Sequence, residues 1–238
     1  MNAEAIRDNL AMIRERIERA AVRTGRRAEE ITLIGVSKTH PAEAIREAFA
    51  AGVRQFGENR VQEWEGKRAG MGDLAAQWHL IGHLQSNKAA RAAKVFHSVD
   101  SVDDFGLAQR LDRARGEMAG AGKLRVLIEV RMAPEESKSG VEKAEVAELA
   151  VKIVGLANLE LAGLMCIPPF LEDAERVRPY FAGLRELQGQ VETAVGRKLL
   201  VLSMGMSHDF EVAIEEGATE VRVGTALFGS RATPATQG

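Results

Sequence analysis

The segment ITLIGVSKTHP, residues 31–41, runs an apolar strand straight into Lys38. A primary amine attacks a carbonyl only when unprotonated, and its ordinary pKa of about 10.4 falls when burial or a nearby cation disfavours the charge. Lys38 at the lip of an apolar strand loses hydration in this way. The plain alternative is a surface charge, the commoner fate of a strand-end lysine. Two later turns carry a different chemistry. LSMGMSHDF (202–210) offers Ser203, Gly205 and Ser207 before an amphipathic stretch, and VRVGTALFG (221–229) offers Gly224 and Thr225. Glycine lets a backbone approach a phosphate closely, hydroxyls add donors, and N–H groups at a helix start point at the anion. Serine caps and glycine turns without a ligand are the alternative. Together, a dehydrated lysine and a phosphate cradle read as a Schiff-base site for a phosphorylated aldehyde or ketone. Pyridoxal phosphate and sugar phosphates both qualify.

Elements must bring these residues to one place. Short apolar runs recur at 31–36, 53–56, 77–81, 95–99, 124–130, 159–165, 198–202 and 219–223, and helix-like stretches separate nearly all of them. PAEAIREAFAAG is typical, with Pro41 at its start and Gly52 at its stop. Alternating βα units require parallel strands with helical crossovers, hence an α/β fold. Eight units in this length fit a single-domain (β/α)8 TIM barrel, whose active site lies at the C-terminal ends of the strands and whose phosphate sites favour the last two loops. Leu10, Ile13 and Ile17 recur at helical spacing and predict an extra N-terminal helix over 2–22. The barrel is expected over 1–231, with 232–238 a disordered tail. The second and fourth strands are the shortest and least regular.

Composition excludes several functions. The chain has 238 residues, a net charge of −2 and 5% aromatic residues, which leaves no basic excess or stacking platform for nucleic acid. No apolar run reaches membrane-spanning length, and the N-terminus reads as an amphipathic helix and not as a signal peptide. One cysteine, Cys166, permits no internal disulfide and reads as a small buried hydrophobe. The histidines show no metal-binding spacing, so no metal is expected. Trp64 and Trp78 are expected to pack under helices. A cytoplasmic location is the default expectation.

The motifs GVSKTHP, FGENRVQE, WHLIGHLQSNK, HSVDS, GLMCIPP and LSMGMSHDFEVAIEEGATEVRVGTALFGSR, in this order, resemble the pyridoxal phosphate homeostasis protein family. That family's fold is similar to the barrel domain of bacterial alanine racemase. The resemblance implies that Lys38 forms an aldimine with pyridoxal 5′-phosphate (PLP). It places the phosphate at Ser203, Gly205, Ser207, Gly224 and Thr225. Arg222 resembles the arginine that faces the pyridine nitrogen, where a guanidinium disfavours protonation and makes the ring a weaker electron sink; a strand arginine paired with Glu129 is the alternative. Asn59, Met204, His79 and Ile81 are expected around the ring, His79 being equally readable as an interior hydrogen-bonded histidine and Met204 as core.

Similar racemases continue into a second domain that supplies a tyrosine on the opposite face, whereas the only tyrosine here, Tyr180, falls in a predicted helix. Racemisation needs proton donors on both faces. The leading expectation is a PLP carrier that maintains vitamin B6 homeostasis without robust catalysis, acting as a monomer and passing PLP to transient acceptor enzymes. Lys138 is a possible relay on the way out, though a solvated loop lysine is the simpler reading. Competing expectations are a PLP-dependent amino-acid racemase and an aldolase-type Schiff-base enzyme acting on sugar phosphates.

Overall fold

A computed structural model describes residues 3–133 and 139–229. The chain opens with α1 (Ala3–Arg23), which buries Ile6, Leu10, Ile13, Ile17, Ala20 and Ala21, one face at three- and four-residue spacing. There follow β1 (Thr32–Val36), α2 (Ala42–Ala51), β2 (Gln55–Glu58), α3 (Val61–Arg68), β3 (Gln77–Leu80), α4 (Ala89–Val95) and β4 (Ser98–Val102). Next come α5 (Phe105–Gly116), β5 (Leu124–Arg131), the two-residue β6 (Val141–Glu142), α6 (Val146–Val154), β7 (Leu159–Met165) and α7 (Arg178–Val195). The last elements are β8 (Val201–Met206), α8 (Phe210–Glu215), β9 (Glu220–Val223) and α9 (Thr225–Phe228).

The sheet order β4-β3-β2-β1-β9-β8-β7-β5 closes through a β4–β5 pairing, and all pairings are parallel. Eight strands therefore form the barrel, and β6 is an added strip against the end of β5. This is the TIM barrel that the βα rhythm predicts. The core lies mainly between strands and helices, where Phe56, Trp64, Trp78, Leu80, Phe181 and Phe210 are buried. α1 packs on α2, α8 and α9 across the seam where chain start and end meet. At Gly163 a Cβ would stand 1.9 Å from the Val201 carbonyl, so no other residue lets β7 lie this close to β8.

Three strands sit further along the chain than predicted. β2 begins at Gln55 because Val53 fills the core from the preceding turn. β4 is SVDSV and not VFHSV: Val95 ends α4, and Phe96 packs into the core just past it. β8 runs to Met206, so Leu199 packs before the strand begins. The proposed tail 232–238 and Lys138 lie outside the described residues. No helix among the described residues is long and apolar enough to cross a membrane.

Candidate functional site

Lys38 stands one residue past the Ser37 that continues β1, on a turn fixed from three directions. Ser37 donates its N–H to the Gly57 carbonyl at 3.0 Å and its hydroxyl to Glu58 Oε1 at 2.7 Å. From α3, Lys67 Nζ donates to the Ser37 carbonyl at 3.0 Å, to Glu58 Oε1 at 3.0 Å and to Glu63 Oε1 at 2.8 Å. Glu63 Oε1 also accepts the Thr39 N–H. From the other side, the His40 ring stacks on Phe228 with centroids 4.7 Å apart. Thr39 has φ 65°, the only positive φ at a non-glycine residue among those described, and a β-branched residue is strained there. Lys38 itself is half-buried.

The charges of this clamp are unequal. Glu58 is fully buried, and burial raises its carboxyl above the ordinary 4.5 despite Lys67 and Ser37. Burial acts on Glu63 in the same direction, but the Lys67 and Thr39 hydrogen bonds outweigh it and hold the carboxyl below 4.5.

β8 and β9 carry the second half of the site. Alternation along β8 turns Ser203 into the barrel and Met204 out into the core cluster. Met204 is thus a core residue, as the sequence also allowed. Ser203 is fully buried, and its hydroxyl accepts Arg222 Nη1 at 2.8 Å. It therefore orients the guanidinium and has no exposed surface to offer a phosphate. Arg222 Nη2 donates to the Cys166 carbonyl at 2.7 Å. Arg222 is 3% exposed and forms no ion pair among the described residues. Its expected alternative partner, Glu129, instead accepts the Ser139 hydroxyl at 3.2 Å, and burial raises its carboxyl above 4.5.

The turns after β8 and β9 meet: the Ala226 N–H donates to Ser207 Oγ at 3.2 Å. Gly205 has φ 91°, and a Cβ there would lie 2.5 Å from Ala213, so α8 approaches the strand end at van der Waals distance only over glycine. Ser207 and Gly224 are half-buried and Thr225 exposed, on the rim of the barrel. The Cys166 thiol is fully buried, and burial pushes it up to about 12, which leaves it inert.

Asn59 follows β2 and lines a cavity of ≈ 500 Å³ with Arg60, His83 and Lys88 at the same end of the barrel. Ile81, 7% exposed, packs over Gly57, where a Cβ would meet its Cδ1 at 2.9 Å. His79 is placed differently. Its Nδ1 pairs with Asp100 Oδ2 at 2.9 Å and its Nε2 with Gln55 Oε1 at 2.7 Å, deep in the barrel. The interior histidine is the reading that this geometry fits.

The sequence matches the family "Alanine racemase, N-terminal domain" over residues 1–232. It is 45% identical over 224 residues to the pyridoxal phosphate homeostasis protein of Aquifex aeolicus, covering 94% of this chain and 97% of that one. The chain belongs to the pyridoxal phosphate homeostasis protein family. Among solved structures, PipY of Synechococcus elongatus without PLP superposes with a TM-score of 0.85 at 41% identity, covering 94% of this chain and 100% of that one. The same protein with PLP bound gives a TM-score of 0.84 at 40% identity and 94% coverage of this chain. A Clostridium difficile alanine racemase shares the fold alone, at 16% identity and a TM-score of 0.75, and covers 97% of this chain and 61% of that one.

Several residues of the site escape sequence reading. Glu63 and Lys67 are spaced i, i+4 on α3, a pattern that ordinarily marks a solvated helix pair. Here the pair faces the Lys38 turn. Gln55, Ser98, Asp100, Arg125 and Glu220 join His79 inside the barrel. Among the described residues, His79, Asp100 and Glu220 present ligand atoms within 4.8 Å of one another. Arg125 donates to Glu220 there, and its guanidinium supplies the positive charge that a metal ion would otherwise bring.

Proposed function

We propose that this chain binds PLP reversibly as an aldimine on Lys38 and serves PLP homeostasis without robust catalysis. One observation carries the reading: Arg222 is buried at the strand ends and, among the described residues, bonds a hydroxyl and a carbonyl but no carboxylate. A buried guanidinium held only by a hydroxyl and a carbonyl retains capacity for one more acceptor. The unprotonated pyridine nitrogen of PLP is such an acceptor. Bound PLP supplies an aldehyde for amine exchange and a ring that withdraws electrons. Arg222 keeps that ring nitrogen unprotonated and so limits the withdrawal. Ser207, Gly224 and Thr225, on rim turns that touch each other, would hold the phosphate, and the α3 clamp aims Lys38. Ile81 and Asn59 stand at the same strand ends and would flank the ring. The relatives' name, and the PLP-bound state of PipY, support the same cofactor.

Borohydride reduction after incubation with PLP, followed by peptide mass mapping, tests this directly. A pyridoxyl adduct on Lys38, absent in Lys38→Ala, is the expected result. Adducts scattered over surface lysines would refute the site. The racemase alternative needs a second acid on the opposite ring face. Tyr180 packs against the core from α7, and measurement of α-proton exchange with alanine is expected to show no enzyme-like turnover.

A further inference from the structure

The opposite, N-terminal end of the barrel holds a second cavity. It has a volume of ≈ 480 Å³ and lies between the chain leaving α3, the start of β3, the end of α4 and the end of α5. Arg68, Lys94, His97 and Arg115 line it together with Trp64 and Trp78, and no carboxylate does. We propose that this cavity is a ligand site for a small phosphate-bearing anion, separate from the Lys38 site and independent of its function.

The argument begins with charge accounting. The protein carries 34 acidic and 32 basic residues, so most cations can find a partner. Elsewhere some do: Arg46 pairs with Asp73, Arg131 with Glu142 and Arg178 with Glu215. Around this cavity they do not. The Arg68 and Lys94 side chains make no hydrogen bond or ion pair with any described residue. Glu65, the carboxylate on which Arg68 acts, is itself bridged by Arg91. Three cations gathered without a counter-charge repel one another, and an anion in their midst reverses the sign of that term.

The donors are also oriented. Arg115 commits Nε to the Gly122 carbonyl at 2.8 Å and Nη1 to the Ala93 carbonyl at 2.9 Å, which fixes the guanidinium plane and leaves Nη2 without a partner. His97 Nδ1 accepts the Trp78 N–H at 3.0 Å, so in the neutral ring Nε2 carries the proton and is a donor. Burial, followed by His79, Arg115 and Arg68, lowers the His97 pKa and favours that neutral form. The floor is rigid: Trp64 and Trp78 stack with centroids 3.7 Å apart, and Trp64 Nε1 donates to the Val95 carbonyl at 3.0 Å. A fixed Arg fork, a Lys point charge and a neutral N–H donor suit the several oxygens of a phosphate group. The size of the cavity is that of a small-molecule site and not of a polymer track.

Both tryptophans of the protein line this cavity, so intrinsic fluorescence reads it directly. The full-length protein is titrated with inorganic phosphate, and separately with pyridoxine 5′-phosphate, an ester without an aldehyde, with potassium chloride holding ionic strength constant. The comparison is an Arg68→Gln/Lys94→Gln double variant, both positions being exposed and free of structural bonds. A saturable fluorescence change in wild type, weakened at least ~tenfold in the double variant while the Lys38 adduct with PLP forms as before, supports the site. Saturation by inorganic phosphate identifies the free anion as sufficient, and saturation by the ester alone identifies a phosphorylated metabolite. A change that never saturates, or that is identical in wild type and the double variant, overturns the proposal. Normal binding here with no adduct at Lys38 would instead fail the PLP reading and leave this site standing.

Discussion

Two polar regions share the interior of one barrel, and they differ in how their charges close. Toward the strand starts, His79 has a partner on each ring nitrogen, Ser98 and His79 both bond Asp100, and Arg125 bonds Glu220. Toward the strand ends, Arg222 has a hydroxyl and a carbonyl but no carboxylate, and Glu129 has a serine but no cation bonded to it. Both regions are buried and both are rich in titratable groups. The first is bonded member to member, with only Glu220 Oε2 left without a partner; the second leaves Arg222 and Glu129 bonded to no opposite charge, beside a half-buried lysine. A polar interior is therefore no signature of a site. What sets the strand ends apart is a guanidinium and a carboxylate that no opposite charge bonds, next to Lys38.

The largest expected effect separates the two regions outright. Lys38→Ala should lose PLP retention by roughly 100-fold or more, because the proposed covalent anchor is gone. It should leave urea unfolding unchanged, since a half-buried lysine at a turn carries little of the core. A fall in stability as large as the loss of PLP would erase the distinction drawn above.

Arg125→Met should do the reverse. It leaves Glu220 and Asp100 buried without their cation; Arg125 is itself 24% exposed, so the cost in urea denaturation should be about 2–3 kcal/mol. The pH dependence has a definite sign. Burial pushes the Asp100 carboxyl up, but His79, Arg125 and Ser98 together hold it below 3.8. Its stabilising contribution is complete above pH 3.8 and is lost as pH falls through the lower folded value. Removing Arg125 should move the onset of acid unfolding to higher pH. An unchanged acid limb would mean that the network is not charge-closed.

The sequence shows these two regions unequally. The eight βα units were legible because apolar runs alternate with helices bounded by signals such as Pro41 and Gly52, and because parallel strands buried on both faces are apolar throughout. That logic fails at β4, where Ser98, Asp100 and Ser101 are buried polar residues and hide the strand. Lys38 and the rim turns were singled out because their residue types announce a chemistry, and Arg222 only because its motif resembles that of the family. The closed network was not, because its members, at 55, 79, 98, 100, 125 and 220, are brought together only by barrel closure. The two-residue β6 has no sequence signal at all.

Intermediate effects fall on the clamp that links α3 to the Lys38 turn. Lys67→Met leaves the fully buried Glu58 with only the Ser37 hydroxyl and releases Glu63 and the Ser37 carbonyl. Lys67 is 14% exposed, so the cost should be about 2–3 kcal/mol, below that of a fully buried pair. PLP retention, measured by dialysis of the reduced and unreduced holoprotein, should weaken roughly tenfold as the turn loosens. Glu129→Gln should act by pH. A carboxyl raised above 4.5 by burial destabilises the fold as it ionises, so the variant gains on wild type as pH rises through that window and matches it below.

The smallest effect is the most discriminating. Thr39 alone among described non-glycine residues adopts φ 65°, and it does so immediately after Lys38. A β-branched residue in that conformation costs on the order of 1–2 kcal/mol, which glycine would relieve, less the entropy that glycine adds to the unfolded chain. Thr39→Gly should therefore raise stability by at most about 1 kcal/mol. The closed network contains no such strained residue, so strain belongs to the open region alone. If that strain aims Lys38, the same substitution should slow adduct formation with PLP while it raises the unfolding midpoint. A variant that is both more stable and equally quick to form the adduct would show that Glu63 and Lys67 suffice, and that the backbone at Thr39 only follows from them.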